Sequence, residues 1–430
     1  MKISGIIGTC RYEITDDAVL RISPISGMIG QISLEITECG WPWNGTNIRK
    51  VQLSGKITAE KSIAGMFGGC TQLEDITDLA KMDVSSVENM ESMFYSCRSI
   101  TDISSLAEWD VSSVKNMKYM FEYCGSLTDI SALSGWNVSS VKTMNSMFSL
   151  CEHIEDLSPL TEWDVGNTED MKTMFYNCAM LRTLNGLSKW DTGNVRCIVH
   201  MFSNCGLLTD ISALSEWDTG NIVETNGAFC ECGLLSDISP LGKWDMKNVI
   251  DMTGMFKNCC SLKDISPLTG WNTESAMSVR DIFYNTDIAE ADAVRNWNIK
   301  SIMSISGMFG KTKTGVNPLE EKIPMACPKT GSFIGWKKCC DGKIVKLFIP
   351  EDARRSSSLG KKCRCDKAKV LQIFNWDGTQ DVIAKSTYNH HFFYFVGETV
   401  SVPDFDTDRF NECAPGIHFF MDRDAAEKYR

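Results

Sequence analysis

Nineteen of the 430 residues are cysteine and five are histidine. Thiolates and imidazoles are the groups that hold zinc or act as nucleophile and base. Their placement decides whether such chemistry is available. Eight cysteines, Cys70, Cys97, Cys124, Cys151, Cys178, Cys205, Cys232 and Cys259, recur at a spacing of 27 residues. Equivalent positions of a repeat form a column, and a column does not converge on one ion as a tetrahedral site requires. A thiol is small, weakly polar and suited to burial. We read the column as a structural ladder of free thiols, with inter-unit disulfides or a metal-binding row as the alternatives. Cys327, Cys339 and Cys340 match no common zinc spacing. A Cys/His nucleophile or a zinc site can also be drawn from His390, His391 and His418 with Cys363, Cys365 and Cys413. His418, however, alternates within an apolar stretch, and Cys363 and Cys365 flank Arg364 on one strand face, so structure or partner binding is the simpler reading. No P-loop, GxSxG or HExxH occurs. We expect no catalytic residue, no metal and no cofactor.

Two acidic columns follow the same period. Asp75, Asp102, Asp129, Asp156, Asp210, Asp237 and Asp264 form the first, with Thr183 in the gap. Each stands beside an apolar Ile or Leu on a strand expected at 127–130 and its equivalents, so each should point outward. Like charges ~5 Å apart repel at low salt. Backbone N–H groups or water would offset that. Alternatively Asp102, Asp129, Asp156, Asp210 and Asp237 form a stripe for a basic partner or a weakly held cation. The second column is Asp83, Asp110, Asn137, Asp164, Asp191, Asp218, Asp245, Asn272 and Asn298. Asp and Asn exchange freely there, which points to turn capping by the side-chain oxygen.

The element that positions these columns is a unit of 27 residues. Met66-Phe67, Met93-Phe94, Met120-Phe121, Met147-Phe148, Met174-Phe175 and Met201-Phe202 keep that spacing. Ala228-Phe229, Met255-Phe256 and Ile282-Phe283 continue it, and Met308-Phe309 arrives one residue early. Ten units with a fixed period predict a stacked repeat. Within one unit Leu127, Ile130, Leu133, Trp136, Val138, Val141, Met144 and Met147 are apolar. Only a coil whose inner wall meets neighbouring copies buries them all. The expectation is a short strand at 127–130 and a short helix or 3-10 segment over 141–148. The Trp column, Trp109 to Trp271 and then Trp297, belongs to the core and needs partners for its indole N–H groups. Residues 196–232, with Cys197-Ile-Val-His200 and Glu224-Thr-Asn-Gly227, break the pattern and are a candidate binding patch.

The repeated string resembles the BspA-like leucine-rich repeats of bacterial surface proteins. That resemblance covers residues 57–310 and implies a repeat solenoid with short parallel strands and short helical or 3-10 segments. It implies no catalytic activity. Residues 1–56 read as a β-rich N-terminal capping module, with a hairpin about Thr15-Asp16-Asp17. The run from Gly8-Thr9-Cys10 to Gly30 resembles a module that often precedes such repeats. Residues 311–343 read as a linker or C-cap. Residues 344–430 read as a small α+β domain with strands at 344–349, 369–374, 392–396 and 416–420, a basic polar loop at 354–362, and a terminal helix opened by Asp424. Lys362-Cys363-Arg364-Cys365, Lys369-Val370-Leu371, Gly397-Glu398-Thr399-Val400 and the stretch from Cys413 to Phe420 resemble a domain of unknown function found in viral and phage pentapeptide-repeat proteins.

Net charge is −12 and the isoelectric point about 5.1. Nucleic-acid binding needs a basic face, so nucleic acid is not the expected partner. No apolar run reaches the ~18 residues of a membrane span. No signal peptide is visible, which leads us to expect a cytoplasmic location, with virion or cell surface as the alternative. The expected function is a non-enzymatic interaction scaffold for a protein partner. The alternative is surface or virion attachment to a receptor or glycan.

Overall fold

The computed structural model describes residues 3–25, 29–32, 40–411 and 413–429. The chain forms two compact units, one holding most residues up to 318 and the other Met303–Met308 and the residues from Leu319 onward. The first is a repeat solenoid of the leucine-rich-repeat kind with a β-rich start, and the second a small α+β domain.

The solenoid opens on β1 (Ile3–Ile7), β2 (Cys10–Ile14) and β3 (Val19–Pro24), an antiparallel meander. The β2–β3 turn falls at Thr15 to Ala18. β4 (Gly30–Ile32) and β5 (Lys50–Leu53) follow, and β5 pairs in parallel with β3. β6 (Ile57–Ser62) joins β4 to β7 (Met82–Asn89), both in parallel. Trp41 and Trp43 donate their indole N–H groups to Ala64 O (2.8 Å) and Met66 O (2.7 Å), tying the module to the first rung. Part of the stretch between Gly8 and Gly30 that resembles a capping module lies outside the described residues.

Each rung is held to the next by stacked equivalents. Phe67 to Phe309 form a continuous stack with ring centroids 5.3–5.9 Å apart. Offset stacking at that spacing is favourable beyond the area buried. The column cysteines are buried and free. From Cys97 to Cys259 each donates its thiol to the carbonyl of a Phe in the rung before, at 3.1–3.4 Å. The Trp indoles do the same to a leucine carbonyl of the preceding rung, at 2.9–3.2 Å. These bonds satisfy backbone acceptors that a coil without continuous strands would otherwise leave unpaired.

The strand expected at 127–130 does not form. A 3-10 turn follows at Ser131–Leu133, and equivalent turns recur along the array. The apolar residues Leu127, Ile130 and Leu133 are three apart, which fits a 3-10 turn and not the two-residue period of a strand. The parallel ladder lies elsewhere and is one residue wide: Asn89, Asn116, Thr143, Asp170, Cys197, Glu224, Asp251 and Ser278 bridge in sequence. The short helix or 3-10 segment expected over 141–148 forms only as isolated turns. Met144, Ser146, Phe148 and Leu150 donate their N–H groups to the next rung, while Met147 and Ser149 close local turns. Left-handed φ values at Ser146 (55°) and Leu150 (61°) break any helix there.

The second unit is built on an eight-stranded sheet. Its strands are β8 (Phe333–Lys338), β9 (Ile344–Ile349), β10 (Arg355–Ser357), β11 (Lys362–Cys365), β12 (Lys367–Phe374), β13 (Gln380–Asp381), β16 (Thr399–Ser401) and β17 (Ile417–Phe420). The order is β10-β11-β17-β8-β9-β12-β13, with β16 also on β12. β14 (Ile383–Lys385) and β15 (Phe393–Phe395) form a separate hairpin. Within the linker or C-cap expected over 311–343, the stretch Phe333–Lys338 is instead β8, which pairs along its whole length with β9 inside the sheet. Lysines at 337 and 338 masked its apolar character. The basic loop expected at 354–362 contains β10, whose Ser356 and Ser357 are buried. The terminal helix α1 (Arg423–Lys428) is capped by Asp422, which accepts from Asp424 N at 2.7 Å, and not by Asp424.

Candidate functional site

Constant columns build the core; variable columns face outward. Three of the latter stand one after another along each coil. The first reads Ser92, Tyr119, Ser146, Thr173, His200, Gly227 and Gly254; the second Tyr95, Glu122, Ser149, Tyr176, Ser203, Cys230 and Lys257; the third Ser96, Tyr123, Leu150, Asn177, Asn204, Glu231 and Asn258. The first and third columns have positive φ throughout. Left-handed backbone between N–H groups committed to the next rung turns these side chains outward.

Between residues 122 and 231 these columns enclose an open groove of about 610 Å³. It spans five rungs, from Glu122 and Tyr123 to Cys230 and Glu231. Small buried residues, Ser146, Ser149 and Ser203, make its floor where neighbouring rungs carry Tyr or Glu. Ser146 Oγ and Thr173 Oγ1 are 2.6 Å apart, and Asn204 Nδ2 donates to Tyr176 Oη at 3.1 Å. Burial pushes the Glu122 carboxyl up, opposed by the Ser149 hydroxyl. Burial, with Lys172 nearby, pulls His200 down. Among the described residues His200 Nδ1 is buried without a hydrogen-bond partner, and the adjacent Gly227 N–H is given to Thr253 O (2.8 Å). Glu122 and His200 lie three rungs apart, on the order of 15 Å at strand spacing. They cannot share a proton in one reaction, so the arrangement suits contact along a length of ligand.

Residues 196–232, singled out in the sequence, supply His200, Ser203, Asn204, Cys230 and Glu231 to the groove. The irregularity has a packing cause. A Cβ on Gly227 would lie 2.2 Å from the His200 ring, so His200 requires a glycine one rung on. Sequence reasoning missed the other half of the groove, Glu122 to Tyr176. The available signal was the change in side-chain size down three adjacent columns.

The first acidic column lies elsewhere on the coil. Asp75, Asp102, Asp129, Asp156, Asp210, Asp237 and Asp264 each accept the backbone N–H two residues on, at 2.7–3.0 Å. Thr183 does so through its hydroxyl at 3.3 Å. These aspartates bend the chain into the 3-10 turn; no continuous strand carries them, and β-pairing in the column is limited to single parallel bridges, Lys50 with Asp75 and Thr183 with Asp210, among the described residues. The Ser104 N–H holds the Asp102 carboxyl below the ordinary range. At Asp75 the Lys50 ammonium (2.8 Å) acts first and the Thr77 N–H second, lowering the carboxyl to about 2. The second column makes the same bond at 3.0–3.2 Å, with Asn137, Asn272 and Asn298 replacing Asp. A neutral amide does the same work, so charge is not what that column needs.

Overlapping stretches 61–184, 100–213, 154–232 and 200–321 match the family described as "Mycoplasma protein of unknown function, DUF285". Together they cover more than half of the 430 residues. The chain belongs to this family. Residues 323–426 of this DUF285 protein also match a "Family of unknown function (DUF5758)", and the match begins inside the segment expected to be a linker. Two solved structures are similar. One is a leucine-rich repeat protein from Eubacterium ventriosum, 15% identical, covering 74% of this chain and 97% of that one, at TM-score 0.28. The other is a leucine rich cell surface protein from Faecalibacterium prausnitzii, 16% identical, covering 73% and 93%, at TM-score 0.30. No curated protein matches the chain.

In the DUF5758 region Cys363 and Cys365 turn into the core beside Cys327 and Cys339. Arg364, also buried, donates to the carbonyls of Asp406 (2.6 Å), Pro415 (3.2 Å) and Asp408. His418 Nε2 meets Ala414 O at 3.1 Å. Among the described residues no three His, Cys, Asp or Glu side chains gather as metal ligands would. No helix among them is long and apolar enough to cross a membrane.

Proposed function

We propose that the solenoid is a non-enzymatic interaction scaffold that receives an extended segment of a partner protein in the groove between residues 122 and 231. The groove itself carries this reading: five rungs of outward hydroxyl, amide and carboxylate groups on a rigid stack. At ~4.8 Å per rung the groove runs roughly 20 Å, and a strand rising ~3.3 Å per residue would place about six residues along it. Glu122 and Glu231 at its two ends favour a basic segment. The stripe of Asp102, Asp129, Asp156, Asp210 and Asp237 would add a second, salt-sensitive contact through the carboxylate oxygens not given to the turn. The reducing interior of a cell is the setting we propose, because a column of unpaired thiols is best kept there.

One observation favours attachment to a glycan on a cell or virion surface instead. The floor is rich in Ser, Thr and Asn and is flanked by Tyr123 and Tyr176, groups that can meet sugar hydroxyls and ring faces. The resemblance to BspA-like surface repeats, and that of the C-terminal residues to viral and phage domains, agrees with this alternative.

Peptide-display selection on the full chain, beside a glycan array, separates the two. Enrichment of Lys- or Arg-containing extended peptides, weakened by salt and by Asp129→Asn with Asp156→Asn, supports the first. Saturable glycan binding without peptide enrichment would replace it.

A further inference from the structure

The DUF5758 region buries a lysine that pairs with no carboxylate among the described residues. Lys337 lies at an inward position of β8, beside Gly335, which is also buried. It is 6% exposed. Among the described residues its ammonium makes no ion pair and no hydrogen bond; the Tyr394 ring is 5.8 Å from Nζ, and burial together with the nearby Lys362 disfavours its charge. Three other lysines of the region are partnered. Lys338 donates to Glu427 O (2.9 Å) and Tyr429 O (2.8 Å), Lys343 pairs with Asp381 (2.6 Å), and Lys367 pairs with Asp352 (2.6 Å). An isolated buried ammonium is strongly disfavoured unless something supplies the opposite charge.

Two adjoining cavities, about 210 and 430 Å³, open onto this lysine. Both are lined by Lys337, Lys362, Tyr388, His418 and Tyr429. Lys362 Nζ donates to the Tyr429 hydroxyl at 3.4 Å, and Tyr388 and Tyr429 hydroxyls are 3.1 Å apart. Burial and the neighbouring Lys337 and Lys362 pull His418 down to about 4, which leaves its ring neutral at pH 7. Among the described residues the lining holds one carboxylate, Asp404, which faces the larger cavity only. Phe392, Tyr394 and Val402 form apolar wall there.

We infer that this cleft binds a small organic oxyanion, its negative head against Lys337 and Lys362 and its flat apolar body along Phe392 and Tyr394. Two ammonium groups and two phenols suit a carboxylate or a phosphate monoester alike, while neutral His418 gives its one N–H to Ala414 O and forms wall. The combined space accepts a one-ring ligand.

The test is titration calorimetry of the full chain with phenyl phosphate, benzoate and inorganic phosphate. At least one of the first two should bind saturably, and inorganic phosphate more weakly, because it has no body to fill the apolar wall. Phenyl phosphate ahead of benzoate marks a phosphate ligand, and the reverse a carboxylate. Lys337→Met should weaken binding at least about tenfold while melting no lower than the parent chain, since methionine removes an uncompensated charge. Lys346→Met, at a lysine lying over Trp336 outside the cleft, should change nothing. Lys362→Met serves as the second variant and should also weaken binding. Absence of saturable binding to all three probes, or undiminished binding by Lys337→Met or, where that variant does not fold, by Lys362→Met, would overturn the inference.

Discussion

At the scale of single residues, position in the repeat decides what a side chain does. His200 and Gly227 show this best, because each is irregular alone and regular together. Gly227 has φ +64°, and any Cβ there meets the His200 ring. Gly227→Ala should cost about 2–5 kcal/mol, the sum of overpacking and left-handed strain. Adding His200→Ala should recover the overpacking share, about 1–3 kcal/mol. Chemical denaturation of the three variants measures this, and additive losses would show that the pair does not pack as described. The thiols make a second prediction. Burial pushes Cys70, Cys124 and Cys205 up to about 12, so little thiolate forms at neutral pH. Exposed Cys260 and Cys413 should react quickly with a thiol reagent, half-buried Cys197, Cys230 and Cys340 more slowly, and the column only on unfolding. Denatured protein without reductant should titrate all 19 thiols; a clear deficit would mean that disulfides exist.

At the scale of the element, the fold favours the ionised form of several turn-capping aspartates. Asp75, Asp83, Asp102, Asp110 and Asp264 are all held below the ordinary carboxylate range. At Asp102 and Asp264 a backbone N–H is the main cause. At Asp83 and Asp110 a serine hydroxyl leads, and at Asp75 the Lys50 ammonium. A carboxyl lowered by folding stabilises the fold above its unfolded value near 3.9 and loses that effect as pH falls through its folded value. The melting temperature should therefore be level above about pH 5 and decline between about pH 4 and 2. A decline already complete at pH 5 would point to other groups. The same turns explain what was legible in the sequence. The 27-residue period, the Phe, Trp and Cys columns and the capping role of Asp83 to Asn298 follow from residue type and spacing alone. The strand at 127–130 did not, because a three-residue apolar period was read as extended chain when it fits a 3-10 turn. The ladder at Asn116, Thr143 and Asp170 carries polar residues of no common type, so its backbone role leaves little trace in the sequence.

At the scale of the whole molecule, regular columns make the stack and variable ones make the surface. Half of the groove was visible as the irregular stretch 196–232. The other half lies in units whose core pattern is regular, and outward variation reads as noise until the coil places it on one face. β8 was hidden for a related reason: its inward lysine looks like a loop residue until the sheet surrounds it. The central claim is that the 122–231 groove receives the partner, and one substitution pair tests it. Tyr123 and Tyr119 show that the columns of Leu150 and Thr173 tolerate tyrosine. Leu150→Tyr with Thr173→Tyr should therefore narrow the groove without unfolding the stack. The decisive measurement is the Kd of a display-selected peptide for the parent chain and for this double variant, with melting curves alongside. The account predicts at least a tenfold weaker Kd, about 1.4 kcal/mol, at a melting point within a few degrees of the parent. Equal affinities in two folded proteins would contradict it.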